Sequence, residues 1–184
     1  MKKKQFIWVS ILLFLVAGGV LHAQMVLLDM AIEDGAKQIE AKLEAGVTVV
    51  LLNFKSPSER VANYVLDELR DILVKGGKVT VVDKASLAPI QQEMNLQLTG
   101  DVNDRSAQAV GKRLGAQSIV SGSIEVDGIN YRMRLRTIEV ETTDVQVSST
   151  FGVSRDALIV TMMGNTANRP ESSNNRRESR RSRR

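Results

Sequence analysis

The apolar positions of this chain change period as it runs, and each change predicts an element. Leu28, Ile32, Ala36, Ile39 and Leu43 recur at steps of four, four, three and four, one face of an amphipathic helix over Met25 to Glu44 that Gly46 ends. Val47 to Phe54 is a continuous β-branched and apolar run, the pattern of a strand buried on both faces. Ser56-Pro57-Ser58-Glu59 then reads as a helix start, with Ser56 capping, Pro57 in the first turn and Glu59 closing a capping box. That helix runs to about Lys75 with Val61, Val65, Leu69, Ile72 and Leu73 inward, until Gly76-Gly77 stops it. Val79 to Val82 is a second buried strand.

Ser86 caps a short helix to Leu96, and Gly100-Asp101 opens another carrying Ala107, Val110 and Leu114, with Gly115 as its C-terminal glycine. Strand patterns follow at 118–126, 130–141 and 145–151, the first two joined through Asp127-Gly128 as a hairpin turn. A short helix from Ser154 to about Met163 is weakly signalled. The order α-β-α-β-α-α-β-β-β predicts one α/β (α+β) domain over residues 24–164, a mixed sheet flanked by helices with antiparallel C-terminal strands. Within the second of those strands Tyr131, Met133 and Leu135 are apolar at odd positions but Ile138 and Val140 at even ones, so keeping both sets on one face requires a bulge near Arg136-Thr137.

The two ends of the chain follow other patterns. Lys2, Lys3 and Lys4 precede an apolar run of 16 residues, Phe6 to Leu21, and small Ala23 stands at the cleavage position of a secretory signal. The run is shorter than the roughly 20 residues that span a bilayer, so residues 1–23 read as a cleaved signal peptide rather than a retained anchor. Gln24 occupies the place where a lipid-anchored protein needs cysteine, so the expected product is periplasmic or otherwise in the cell envelope, exported and not lipidated. Beyond Ala167 no apolar residue occurs, and 165–184 reads as a disordered tail rich in arginine.

Charge follows the same three-part division. The net charge of +4 averages +3 from the signal, −4 from residues 24–168 and +5 from residues 169–184, where seven arginines face Glu171 and Glu178. The body is therefore mildly acidic and not a basic nucleic-acid-binding domain. The chain has no cysteine and its single histidine, His22, lies in the signal. The exported chain then lacks Ser-His and Cys-His nucleophile pairs, imidazole or thiolate zinc sites and disulfides. No cofactor motif is present either: Gly111, Gly115 and Ser121-Gly122 lack dinucleotide spacing and read as packing and turn residues, and Asp101-Asn103-Asp104 does not continue into a calcium loop, which leaves helix capping as the role of Asp101 and Asp104. Asp67 and Glu68, adjacent on a helix, diverge by about 100° and read as a solvated face rather than an acid/base pair.

The stretch from Val47 to Ile124 resembles the CsgG/LpoB group of envelope accessory proteins, which includes the curli secretion channel and an activator of penicillin-binding proteins. The resemblance is carried by the strand ending Asn53-Phe54, by Tyr64 to Leu69 and by Val81-Val82-Asp83-Lys84, where the family commonly has arginine in place of Lys84. It continues through Leu87, Ile90 and Glu93, and through Gly111 to Ala116 leading into Ser118 to Ser123. It implies the fold and an envelope location. The chain lacks both the lipidated cysteine of the curli channel and the length for its extra barrel strands.

Two groups of residues are candidate partner-binding sites. Arg132, Arg134 and Arg136 alternate with apolar residues and so share one strand face. They either grip an acidic partner or glycan carboxylate, or pair with Glu125, Glu139 or Glu141, the commoner arrangement between strands. Arg176, Arg177, Arg180 and Arg181 of the tail could meet anionic lipid head groups or a cell-wall polymer, and nucleic acid only if the chain is not exported. The expected function is a non-enzymatic accessory protein that binds another protein of a secretion or cell-wall assembly, with homo-oligomerisation left open. The competing reading is an envelope hydrolase that acts on a glycan with carboxylates alone. Aromatic residues, the usual sugar platforms, are 4% of the chain, which disfavours it.

Overall fold

A computed structural model describes residues 25–93 and 104–164. The elements are α1 (Leu28–Lys42), β1 (Thr48–Lys55), α2 (Glu59–Gly76), β2 (Thr80–Val81), a 3-10 turn (Lys84–Ser86), α3 (Leu87–Glu93), α4 (Asp104–Arg113), β3 (Ser118–Asp127), β4 (Asn130–Glu139), β5 (Val145–Val153) and α5 (Ala157–Met163). The strands form one mixed sheet in the order β2-β1-β3-β4-β5, with β1 parallel to β2 and β3, and β3-β4-β5 antiparallel. The expected α/β architecture is the one found.

Burial splits between the two faces of this sheet. On the first face α1, α2 and α5 cover Val49, Leu51, Val120, Ile124, Met133 and Leu135. The expected shared core of Val49, Leu51, Val65, Leu69 and Val120 is buried there, with Val81 packed against it. On the second face α3 and α4 cover Val50, Leu52, Ile119, Ile138 and Val140. Strand β1 thus gives alternate residues to both layers, as a continuous apolar run requires. A register shift between Leu51 and Phe54 then turns Phe54 onto the first face, where its ring lies over Gly122.

Several local expectations change. Strand β4 pairs with β3 without interruption from Asn130 to Glu139, so it carries no bulge; its odd residues face the first layer and Ile138 the second. The two apolar sets are out of phase because each is buried against a different helix layer. The irregularity lies on β5 instead: Thr137 pairs with Val147 and Ile138 with Val145, which leaves Gln146 as the extra residue, its side chain accepting from the Ser118 hydroxyl at 2.8 Å. Helix α1 starts at Leu28 rather than Met25, since Val26 bridges the edge of β5 through Val26 N–H to Gly152 O and Ser154 N–H to Val26 O, both 2.9 Å.

Helix α2 starts at Glu59 with Ser58 at the cap position, but neither Ser56 nor Ser58 caps it with a side chain. The Ser58 hydroxyl donates instead to Met162 O of α5 at 2.6 Å, while Ser56, the expected cap, accepts from the Ser58 N–H at 3.1 Å. Asp83 caps the 3-10 turn through the Ala85 N–H, and Ser86, the expected cap of α3, is the residue directly before that helix. Hairpin β3-β4 turns through Gly128 (φ +64) and Ile129, one residue later than expected; glycine with positive φ at the first central position is the Gly-X form of a two-residue loop. The signal peptide, the stretch 94–103 with Asp101, and the tail lie outside the described residues.

Candidate functional site

Among the described residues, helices α3 and α4 cover one end of the second sheet face, and the remaining part is polar. Each row across it can be read from the register. Ser121, Arg136 and Ser148 lie abreast, then Ser123, Arg134 and Thr150, then Glu125, Arg132 and Gly152. Lys55 on β1 extends the middle row beside Ser123. The three arginines therefore do share one face, while Tyr131, Met133 and Leu135 between them are buried behind the sheet. A shallow concavity of about 330 Å³ is lined by Ser121, Ser123, Arg134, Arg136 and Ser148.

Each arginine carries a carboxylate. Arg132 meets Asp127, Arg134 meets Glu125 at 3.1 Å, and Arg136 makes a two-pronged contact with Asp104 at 3.2 and 3.1 Å. Of the three glutamates expected as partners only Glu125 serves; Glu139 accepts from Thr142 Oγ1 instead, and Asp104 and Asp127 fill the other places. Asp104, expected to cap α4, is its first residue and ties that helix to β4. The arginine side chains remain 46%, 45% and 40% exposed. Pairs so open to water contribute about 0–1 kcal/mol each, so an incoming carboxylate can replace them at little cost. Planar guanidinium groups suit such two-pronged exchange.

Glycine at 122 makes the row possible. A Cβ there would come within 2.5 Å of Arg134 O and 2.8 Å of the Phe54 ring. Gly111 has the packing role expected of it, since a Cβ there would meet Val140 at 2.9 Å and Ile119 at 3.1 Å. Asp67, read as solvated, accepts from Arg70 at 2.9 Å and from Lys84 at 3.3 Å. Among the described residues no three His, Cys, Asp or Glu side chains gather as a metal site. The carboxylates of the open face are engaged by arginines.

A mixed sheet of this order, packed by helices on both sides and ending in an antiparallel three-stranded part, is a fold already seen in solved structures. It superposes on the LpoB C-terminal domain from Salmonella enterica with a TM-score of 0.58 at 19% identity, covering 67% of this chain and 96% of that one. The LpoB C-terminal domain from Escherichia coli gives 0.59 at 18% identity, covering 69% and 98%. The family model of the peptidoglycan-synthase activator LpoB matches residues 59–148, from the start of α2 into β5. No curated protein matches the chain. The LpoB part of the resemblance seen in the sequence therefore stands, and the curli-channel part gains no support.

Proposed function

We propose that this chain is a non-enzymatic envelope protein of the LpoB kind, which docks on a peptidoglycan synthase and raises its activity through the arginine face of β3, β4 and β5. The observation that carries this reading is that the matched segment, 59–148, contains the arginine row with its weakly held counter-ions. A partner that presents carboxylates in a row would displace Asp127, Glu125 and Asp104 and keep the guanidinium groups paired throughout. Delivery to the envelope rests on the signal sequence, with cleavage before Gln24 and no lipid added.

The test is crosslinking in intact cells with mass spectrometry of the captured protein, followed by assays of glycan polymerisation and peptide crosslinking by that synthase. Added protein should raise the rate several-fold, and the triple change R132S/R134S/R136S should remove the effect while the fold survives. Capture without a peptidoglycan synthase, or equal stimulation by the triple variant, overturns the reading or its surface respectively. N-terminal sequencing of the native protein should begin at Gln24 or within a residue or two; an intact Met1 would refute the cleavage.

A further inference from the structure

We propose that the groove between α1 and α2 is a docking site for this chain's own basic tail, residues 165–184. The two helices run side by side in the same direction, and between them lies a concavity of about 540 Å³. Asp29, Glu33, Glu40 and Glu68 line it against Lys37 and Lys75, over an apolar floor that includes Ile32 and Ile72. The excess is two negative charges: with Lys37 and Glu33 paired at 2.7 Å, Asp29, Glu40 and Glu68 stand against Lys75. Glu40 Oε1, packed against Gly76, has no hydrogen-bond donor among the described residues. A buried carboxylate oxygen without a donor is unusual in a folded protein and calls for a cationic group.

The mouth of the groove is also acidic. Burial, chiefly, and the hydrogen bond from Tyr64 Oη to Asp29 at 2.8 Å, aided by Glu68 and Asp156, push the Tyr64 phenol up to about 12. Asp156 belongs to the cap of α5, the helix from which the tail departs. Helix α5 is fastened to the start of α2 by the Ser58-Met162 bond and ends at Gly164, φ +67. The tail thus begins beside the same end of α2 as the acidic mouth. Between Asp29 and Glu40 the groove is about 17 Å long at 1.5 Å per residue. Residues 165–184 can span at most about 65–70 Å, so the arginines from Arg169 to Arg184 can reach all of it. Seven arginines against two glutamates is the charge complement of this surface. The inference is independent of the synthase-binding face, which lies on the opposite side of the sheet.

The chain has no cysteine, so S182C places a single nitroxide spin label in the tail of the full chain. At roughly 0.01 M salt, where screening extends about 30 Å, the label should reduce amide NMR intensities at least about twofold along Ile32 to Glu40 and Glu68 to Gly76. At about 1 M salt, with screening near 3 Å, the intensities should recover. Replacing Arg176, Arg177, Arg180 and Arg181 by serine should also restore them, and this variant leaves the packed body untouched. E33K/E68K, at two exposed positions, should do the same from the groove side. Broadening that is absent at low salt, spread evenly, or centred on another surface overturns the proposal, as does broadening at the groove that survives either charge change.

Discussion

On one face of the sheet Met133 and Leu135 lie beneath α1, sealed from water, while one residue away on the same strand Arg134 and Arg136 stay nearly half exposed. Glycine at position 35 lets α1 approach closely, since a Cβ there would strike Leu135. Among the described residues the opposite face is covered where α3 and α4 reach it, and Ile138 and Val140 mark that end. The same strands therefore build a continuous core on one side and, on the other, a short core that gives way to a polar platform. The closed face holds the larger of the two cores, and the open face keeps its ion pairs in contact with water.

The largest effect expected from this difference is in the closed core. Leu69, fully buried on α2, should cost about 2–5 kcal/mol when changed to alanine. Val110, equally buried on α4 but over the smaller core, should cost about 1–2 kcal/mol on removal of two methyl groups' worth of burial. Urea unfolding measures both, and the size-matched pair Val65→Ala on α2 and Val110→Ala on α4 isolates the faces: equal losses there would erase the distinction. Gly122→Ala probes where the faces meet: the new Cβ must displace the Arg134 carbonyl and the Phe54 ring, an overpacking that should cost about 1–3 kcal/mol.

The open face should answer quite differently. Arg136→Ala removes the two-pronged bond to Asp104, and with both side chains exposed the loss should stay under about 1 kcal/mol. A larger loss by thermal melting would make this pair a structural clamp for α4 and not an exchangeable contact. The smallest effect concerns alkali. The folded state holds the Tyr64 proton up to about 12, whereas an unfolded tyrosine releases it near 10. Stability from this group is therefore full below about pH 10 and declines between about 10 and 12, where the unfolded chain releases a proton that the folded phenol still holds. Tyr64→Phe should flatten that stretch of the stability profile, and absorbance titration of the phenolate should show the late ionisation directly.

Local pattern was enough for much of this molecule. Steps of three and four placed α1 and α2, the unbroken run 47–54 placed a strand buried on both sides, and strict alternation placed the arginines of β4 on one face. Those features depend on residues within a few positions of each other, where helix and strand periods act directly. What the pattern left undecided was which layer each strand position meets. Ile138 and Val140 look out of phase with Leu135 when one buried face is assumed, and fall into place once α4 supplies a second. Ser58 is spent on Met162, more than a hundred residues away, and Arg136 finds Asp104 on another element. Such choices are made by packing between distant segments, because a side chain's partner is whatever the folded chain brings beside it, and no local period encodes that.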